Sequence, residues 1–221
     1  MAESERLLAL ADDALILGHR LSEWTGHAPL LEEEMALGNI ALDLIGTARG
    51  LYQRAGDEDR LAYHRDAPEF RNLLLVEQPN GDFAQTIVRQ FLYSAFAAPF
   101  WQGAEPADIA AEAARQSAYH LRHAGEWLVR LGDGTEESHR RAQAALDGLW
   151  MYTGEMFEDR PAPLRAQWDE TVDRTLARAA LARPQSTYMQ SGGRRGRHSE
   201  HLGYILAEMQ FLQRAYPGAT W

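Results

Sequence analysis

The sequence predicts an all-α protein: a bundle of four helices with one long crossover, followed by additional helices towards the C-terminus. Three observations support this fold class. Apolar residues recur every three or four positions over long stretches, as on the buried face of a helix. Proline and glycine separate these stretches. Outside the long crossover, no stretch shows the alternating pattern that is typical of a strand.

Four stretches form the predicted core of the bundle, and each has a start or a stop signal. The first ends in a tight turn at residues 25–29, and Asp82 is a predicted cap of the third. The fourth ends at Gly132-Asp133-Gly134-Thr135, where one helix stops and the next begins. The four helices are predicted at residues 4–24, 30–55, 83–101 and 108–131.

The links between these helices predict how they are connected. The first and third links are short, whereas residues 57–81 form a long, partly ordered crossover whose apolar run 73–76 is too short for a helix of its own. Two hairpins joined by one long crossover are typical of ferritin-like bundles. We therefore predict one ferritin-like domain over residues 1–221, with a core bundle at about 4–131. The accessory helices, at about 136–215, are predicted at 136–157, 164–181 and 198–215.

The second helix, residues 30–55, is apolar around more than half of its circumference. A helix of this kind is expected to be enclosed on several sides. Asn39 and Asp43 lie four residues apart on one face of it, and Gln116 and His120 have the same spacing on the fourth helix. Because buried polar groups need partners, we predict that these four side chains form a buried polar network where related bundles hold metals.

A search for metal ligands explains this prediction. Ferritin-like bundles with two metal ions use a Glu-x-x-His pair on each of two helices. Among the eight histidines, only His139 follows a glutamate by three residues, and Glu136 stands at a helix start where acidic residues are common for capping. We therefore predict neither metal ligands nor catalytic residues in this chain.

An alternative is a diiron oxygenase with an unusual set of ligands. The candidate ligands are Asp12, Glu23, Asp43, His120 and Glu208. A simpler interpretation places Asp12, His19 and Glu23 on a solvated face of the first helix, and makes His120 a hydrogen-bonded residue of the core.

The composition limits the possible partners and compartments. A formal net charge of −10 argues against nucleic acid and against an anionic membrane surface as the main partner. The chain has no cysteine, which excludes disulfides and zinc–thiolate sites. No apolar run approaches the ~20 residues of a membrane span, and the N-terminus lacks the features of a secretory signal. We predict a cytoplasmic protein.

Several long segments resemble the family of PaaC-type C subunits of phenylacetyl-CoA epoxidase, a component of the bacterial phenylacetate-CoA oxygenase. The resemblance covers about residues 7–221 and is carried by ALGNIALDLIGTAR (36–49), NLLLVEQPNGDFAQTIVRQFLYSAF (72–96), YHLRHAGEWLVRLGDGT (119–135) and the final segment 192–221. It implies a ferritin-like fold and a non-catalytic role in aerobic phenylacetate degradation. Gln116 departs from the family pattern, which often has Glu at this position.

The same resemblance implies partners and cofactors. The homologous A subunit would carry the diiron centre and epoxidise the aromatic ring of phenylacetyl-CoA, and this chain would support it without a cofactor of its own. A small B subunit, together with a reductase that holds flavin and an iron–sulfur cluster, would complete the complex. The alternatives are an oxygenase in its own right and a module that binds a CoA thioester.

Two surfaces are candidates for these contacts. An obligate partner implies a large apolar interface, and the predicted contributors are Leu202, Tyr204, Ile205, Met209, Phe211, Leu212, Tyr216 and Trp221. Trp221 could equally fold back onto its own bundle. A second set could contact CoA or the A subunit: Glu69, Phe70, Arg71 and Asn72 in the crossover, with Arg194, Arg195 and Arg197 in a glycine-rich loop. The alternative for these arginines is a solvated basic loop, or one that forms ion pairs with the A subunit.

Overall fold

The structure is a computed structural model that describes residues 3–158, 160 and 162–219. The described residues form α-helices joined by loops and short 3₁₀ turns, and no strand occurs among them. The helices are α1 (Glu3–Ser22), α2 (Leu31–Ala55), α3 (Glu58–Tyr63), α4 (Leu74–Glu77), α5 (Phe83–Trp101), α6 (Ala107–Gly132), α7 (Glu136–Leu149), α8 (Ala162–Arg178), α9 (Glu200–Met209) and α10 (Phe211–Ala215).

The four long helices predicted from the spacing of apolar residues are confirmed. Helices α1, α2, α5 and α6 begin and end within two residues of the predicted bounds. Asp82 caps α5 as predicted, since its side chain accepts a hydrogen bond from the backbone N–H of Gln85 at 2.9 Å. Thr135 caps α7 in the same way, accepting from the N–H of Ser138 at 3.1 Å.

Three predicted elements differ in the structure. The apolar run at 73–76 does form a helical turn, α4, and this turn is buried. The helix predicted at 136–157 ends at Leu149 and continues as 3₁₀ turns, in which Thr153 Oγ1 donates to the carbonyl of Trp150 at 2.8 Å. The helix predicted at 198–215 is split at Gln210, whose side-chain amide donates to the carbonyls of Ala62 and Arg65.

The described residues form two compact units. The first consists of two separate stretches of the chain, residues 3–79 and 191–219. Within it α1 and α2 pack as an antiparallel hairpin, as predicted. A Cβ atom at Gly18 would lie 3.1 Å from the carbonyl oxygen of Ala41, so the two backbones approach closely there. The prediction of a single domain over 1–221 remains a prediction.

The second unit runs without interruption from Asn80 to Gln190. Helices α5 and α6 form its antiparallel hairpin, and the rings of Phe83 and Trp127 meet edge to face with centroids 5.1 Å apart. The indole N–H of Trp168 donates to the carbonyl of Leu92 at 3.0 Å, which ties α8 to α5. Trp150 packs against the same indole and completes an aromatic core.

Helix α2 is buried on one face only. Leu37, Ile40 and Leu44 lie on that face, whereas the opposite face exposes several large apolar side chains. The expectation that α2 is enclosed on several sides is therefore wrong for this chain. Apolar residues around a helix predict that both of its faces are shielded from water. They do not show whether the same chain or another molecule shields each face. No helix of the described residues has the length and apolar character needed to cross a bilayer.

Candidate functional site

Three carboxylates are fully buried in the first unit: Asp12 and Asp13 on α1, and Glu77 at the end of α4. The expectation that Asp12 faces solvent is therefore wrong. Burying a carboxylate is costly unless charged or hydrogen-bonding groups surround it. The crossover and the segment 192–199 supply these groups.

Asp12 lies between α2 and the crossover. It accepts a hydrogen bond from the hydroxyl of Tyr52 at 2.5 Å and from the backbone N–H of Arg71 at 2.7 Å. The guanidinium of Arg65 donates to both carboxylate oxygens and also lies over the ring of Phe70, 4.2 Å from its centroid. Burial, with the charge of Asp12, raises the pKa of Tyr52 well above its usual value. Tyr52 is therefore a permanent donor to Asp12.

Asp13 pairs with Arg194, the first arginine of the glycine-rich loop. Arg194 Nη2 donates to Asp13 Oδ2 at 2.6 Å, and Nη1 donates to Oδ1 at 3.0 Å. The same Nη1 also faces the carbonyls of Ala9 and Arg71. The backbone N–H of Leu73 completes the environment of the carboxylate at 2.7 Å. Burial raises the pKa of Asp13 to about 6, against the opposing effect of Arg194.

Glu77 accepts hydrogen bonds from Asn72 Nδ2 at 2.9 Å and from the backbone N–H of Ser199 at 2.6 Å. His198 Nδ1 lies 2.8 Å from its Oε2. His198 Nε2 lies 3.0 Å from the carbonyl oxygen of Phe70, which can only accept. Both ring nitrogens therefore face acceptors. The imidazole therefore connects the buried carboxylate of Glu77 to the backbone of the crossover.

Two glycines let the segment 192–199 lie against the crossover. A Cβ atom at Gly193 would clash with the backbone carbonyl oxygen of Asn72, and one at Gly196 would clash with that of Pro68. Gly196 also has a φ of 72°, in the left-handed region that favours glycine. The glycines of this loop thus serve close backbone contact and a turn.

The predicted contact residues of the crossover have mainly internal roles. Phe70 and Asn72 are buried, so the prediction that they contact a ligand or a partner is wrong for these two side chains. Arg71 is partly exposed, and its Nη1 donates to the carbonyls of Pro68 and Phe70 at 2.7 Å. Glu69 is exposed, and its carboxylate accepts from the backbone N–H of Asp66 at 2.8 Å.

The three arginines of the glycine-rich loop divide into two groups. Arg194 belongs to the buried ion pair with Asp13, so its assignment to a CoA phosphate or to a partner is wrong. Arg195 and Arg197 are exposed, and Arg195 Nη2 donates to Ser191 Oγ at 2.9 Å. Of the three arginines, Arg195 and Arg197 remain candidates for a ligand or partner contact.

The residues predicted to replace a metal centre are not all buried. His120 is buried and Asp43 is half-buried, but Asn39 is exposed, so its place in a buried network is wrong. Gln116 is half-buried, and its amide donates to Glu112 Oε1 on the same helix at 3.2 Å. An exposed amide and a second amide held by a neighbouring glutamate are poor ligands for iron. These residues do not fit a dinuclear iron centre.

The alternative set of ligands does not fit a metal centre either. Both oxygens of Asp12 are occupied by the groups described above, Glu23 pairs with Arg20 at 3.0 Å, and Glu208 is exposed. His139, the one histidine preceded by a glutamate at the right spacing, donates from Nδ1 to the carbonyl of Gly132 at 2.7 Å. Among the residues that the structure describes, no three His, Asp or Glu side chains are grouped so that they could hold a metal ion.

The predicted C-terminal interface is partly internal as well. Leu202 and Ile205 are buried in the first unit, so they are not available to a partner and this part of the prediction is wrong. Met209 is half-buried. Tyr204, Phe211, Leu212 and Tyr216 are exposed on α9, α10 and the residue after it. Trp221 lies outside the described residues.

The buried carboxylates are the feature that sequence reasoning missed. Asp12-Asp13 stands in the middle of a long apolar stretch of α1, between Ala11 and Ala14, and this was a usable signal. Their partners, however, lie on segments far away in the chain. Sequence spacing within one helix could not find them.

The chain belongs to a family of phenylacetic acid catabolic proteins. The model of the family PaaA_PaaC, described as "Phenylacetic acid catabolic protein", matches residues 1–221. Together with the helical structure, this confirms the all-α, ferritin-like fold class. The chain is also 45% identical, over 240 aligned positions that cover 97% of each sequence, to the C subunit of 1,2-phenylacetyl-CoA epoxidase from Escherichia coli (strain K12).

Proposed function

We propose that this chain is the non-catalytic C subunit of a phenylacetyl-CoA epoxidase in aerobic phenylacetate degradation. Its role is to bind and stabilise the homologous catalytic A subunit. The relative with 45% identity over nearly the whole chain carries this proposal. The engagement of Asp12, Asp13 and Glu77 in internal hydrogen bonds supports it, because these carboxylates hold the fold together and are not available for catalysis.

The other components follow from the same proposal. The diiron centre lies in the A subunit, and the flavin and the iron–sulfur cluster lie in the reductase. A small B subunit is the remaining component of the complex, which works in the cytoplasm on phenylacetyl-CoA. This chain contributes no cofactor.

Co-expression with the A subunit tests the proposal. We expect the two chains to purify as one complex, and epoxidation of phenylacetyl-CoA by A, B and reductase to be lost or greatly reduced when this chain is omitted. Iron measured on this chain, purified alone after expression with ample iron, should stay far below one ion per chain. Stoichiometric iron in the isolated chain, or full activity without it, would contradict the proposal and favour an oxygenase in its own right.

The exposed part of the C-terminal surface is proposed as one contact with the complex. Tyr204, Phe211 and Tyr216 are each more than half exposed, which is unusual for three large side chains near one another in sequence. Phe211→Arg should weaken assembly without changing the unfolding midpoint of the isolated chain. Tyr188→Arg, at an equally exposed aromatic residue in a loop, is the matched control. Equal assembly by both variants would remove this contact.

A contact of Arg195 and Arg197 with the phosphates of the CoA thioester is a further proposal. Both arginines are exposed in a chain with a formal net charge of −10, and they flank Gly196, which lies close to the guanidinium of Arg71. Calorimetric titration of the complex with CoA should show affinity that falls steeply with salt and is weakened by Arg197→Ala. Arg122→Ala, an exposed arginine on α6, serves as the control. Binding that is absent, or the same in both variants, would leave these arginines as a solvated loop.

A further inference from the structure

The exposed face of α2 carries a row of four large apolar side chains. Leu31 is 68% exposed, Met35 61%, Leu42 68% and Ile45 37%. Their spacings of four, seven and three residues place them on one side of the helix. Since a residue rises 1.5 Å along a helix, the row is about 21 Å long. A row of this size in water is typical of a surface that another protein covers.

The shape of this face suits a helix that approaches closely. Gly38 and Gly46 lie on it, and no atom lies within 4 Å of the position that a Cβ would take on either. Beside the row is a depression of about 370 Å³, to which Thr25 and Asn39 contribute. The side chain of Leu42 therefore projects between two gaps in the helix surface, one at Gly38 and one at Gly46. A projecting side chain of a second helix could fill each gap, while Leu42 packs between the side chains of that helix.

The charges at the two ends of the face set a direction. Glu32 is exposed in the first turn of α2, and Arg49, near the other end, keeps 68% of its side chain exposed although it contacts Glu58. A helix with the same pattern, packed antiparallel and crossing near Leu42, would bring its basic end towards Glu32 and its acidic end towards Arg49. Antiparallel packing also opposes the two helix dipoles favourably.

We infer that the α2 face is the surface on which a homologous helix of the catalytic A subunit packs antiparallel. The inference rests on the proposed function and adds the surface and the geometry to it. The alternation of large side chains with glycines, and the acidic and basic ends of α2, fit a partner helix with the same arrangement. A homologous chain of the same family is expected to contain such a helix. The occupant is the unlike chain, because a relative whose name makes it the C subunit of an epoxidase belongs to an assembly of different chains.

Two variants of the tagged chain, co-expressed with the A subunit, test the inference. Leu42→Arg places a charge at the projecting position, and Gly38→Leu fills one of the gaps. We expect each to lower recovery of the A subunit by about tenfold or more. Tyr188→Arg, a change of an equally exposed aromatic residue in a loop, should recover the A subunit like the wild type.

The thermal unfolding of the isolated variants separates binding from folding. Leu42→Arg should leave the midpoint unchanged, and Gly38→Leu should raise it, because leucine favours the helix more than glycine does and meets open space. A stabilised chain that binds the A subunit less well cannot be explained by misfolding. This combination of results would support the inference.

The outcomes against the inference are distinct from failure of the proposed function. If the wild-type chain recovers no A subunit, the proposed function fails. If the wild type binds but both α2 variants bind equally well, only the α2 surface is wrong. If the isolated chain is a dimer that Leu42→Arg dissociates while binding of the A subunit is unchanged, the occupant is a second copy and the inference is overturned.

Discussion

Asp13 and Arg194 stand 181 positions apart in the sequence and form a two-pronged ion pair in the interior of the first unit. The guanidinium matches both carboxylate oxygens, which is the strongest geometry available to this pair. A carboxylate on α1, early in the chain, is thus paired by an arginine of the glycine-rich loop, late in the chain. Closure of the first unit therefore depends on this pair and its neighbours.

Removal of Arg194 should destabilise the chain strongly. Arg194→Met leaves Asp13 buried without its cation, and breaking a buried pair in this way costs about 3–5 kcal/mol. Urea unfolding of the isolated chain measures the effect. Arg195→Met, next to it but exposed, should change the free energy of unfolding by no more than about 0.5 kcal/mol. Similar losses in both variants would mean that Arg194 has no special role.

The pKa of Asp13 predicts a dependence of stability on pH. Because its pKa rises from 3.8 to about 6 on folding, the folded chain binds more protons than the unfolded chain between these values. The contribution of Asp13 is therefore fully present below pH ~4 and declines as the pH rises through about 6. Unfolding free energies of the wild type and of Asp13→Asn, measured from pH 4 to 7, should show the wild type losing stability relative to the variant. A difference that stays constant, or that grows with pH, would contradict the assignment.

The imidazole of His198 should be needed for the burial of Glu77. His198→Phe keeps a ring of similar size but removes the ring nitrogen that contacts the buried carboxylate. This should cost about 1.5–3 kcal/mol, as for a hydrogen bond to a charged group. His201→Phe, on the next turn and without such a contact, should be nearly neutral. Thermal unfolding of the two variants side by side decides the matter, and equal midpoints would argue against the contact.

Gly196 should not tolerate a side chain. Gly196→Ala combines a left-handed backbone with a clash against the carbonyl of Pro68, and we expect a loss of roughly 2–4 kcal/mol. Gly203→Ala meets open space on α9 and should instead add about 0.5–1 kcal/mol, because alanine favours the helix. Chemical unfolding would show shifts in opposite directions. Two shifts of the same sign would contradict the packing of this loop.

The long helices are predictable because their signals are local. Apolar spacing, the cap at Asp82 and the stop at Gly132 act within a few residues, so the sequence alone indicates where α5 and α6 begin and end. The ends of weaker elements are not predictable. The last predicted helix is interrupted at Gln210, whose side-chain amide donates to the carbonyls of Ala62 and Arg65. The sequence around Gln210 does not predict these distant acceptors.

The candidate site is predictable only in part, for the same physical reason. The glycine-rich loop with its arginines stands out in the sequence, but whether Arg194 points to a ligand or to Asp13 depends on a contact between distant segments. The apolar residues on more than half of the circumference of α2 stand out in the sequence too. Helical spacing shows that a face avoids water, but it does not say which molecule covers that face. The expectation that α2 is enclosed on several sides is therefore wrong for this chain, and Leu42 is exposed.

The placement of the segment 192–199 has a consequence for synthesis on the ribosome. The second unit, Asn80 to Gln190, is complete before this segment emerges, and it can begin to fold while translation continues. The first unit cannot finish at that stage, because Asp13 and Glu77 still lack Arg194 and His198. A nascent chain that stalls after residue 190 would hold these acids without counterparts, which makes it a natural target for chaperones and proteases.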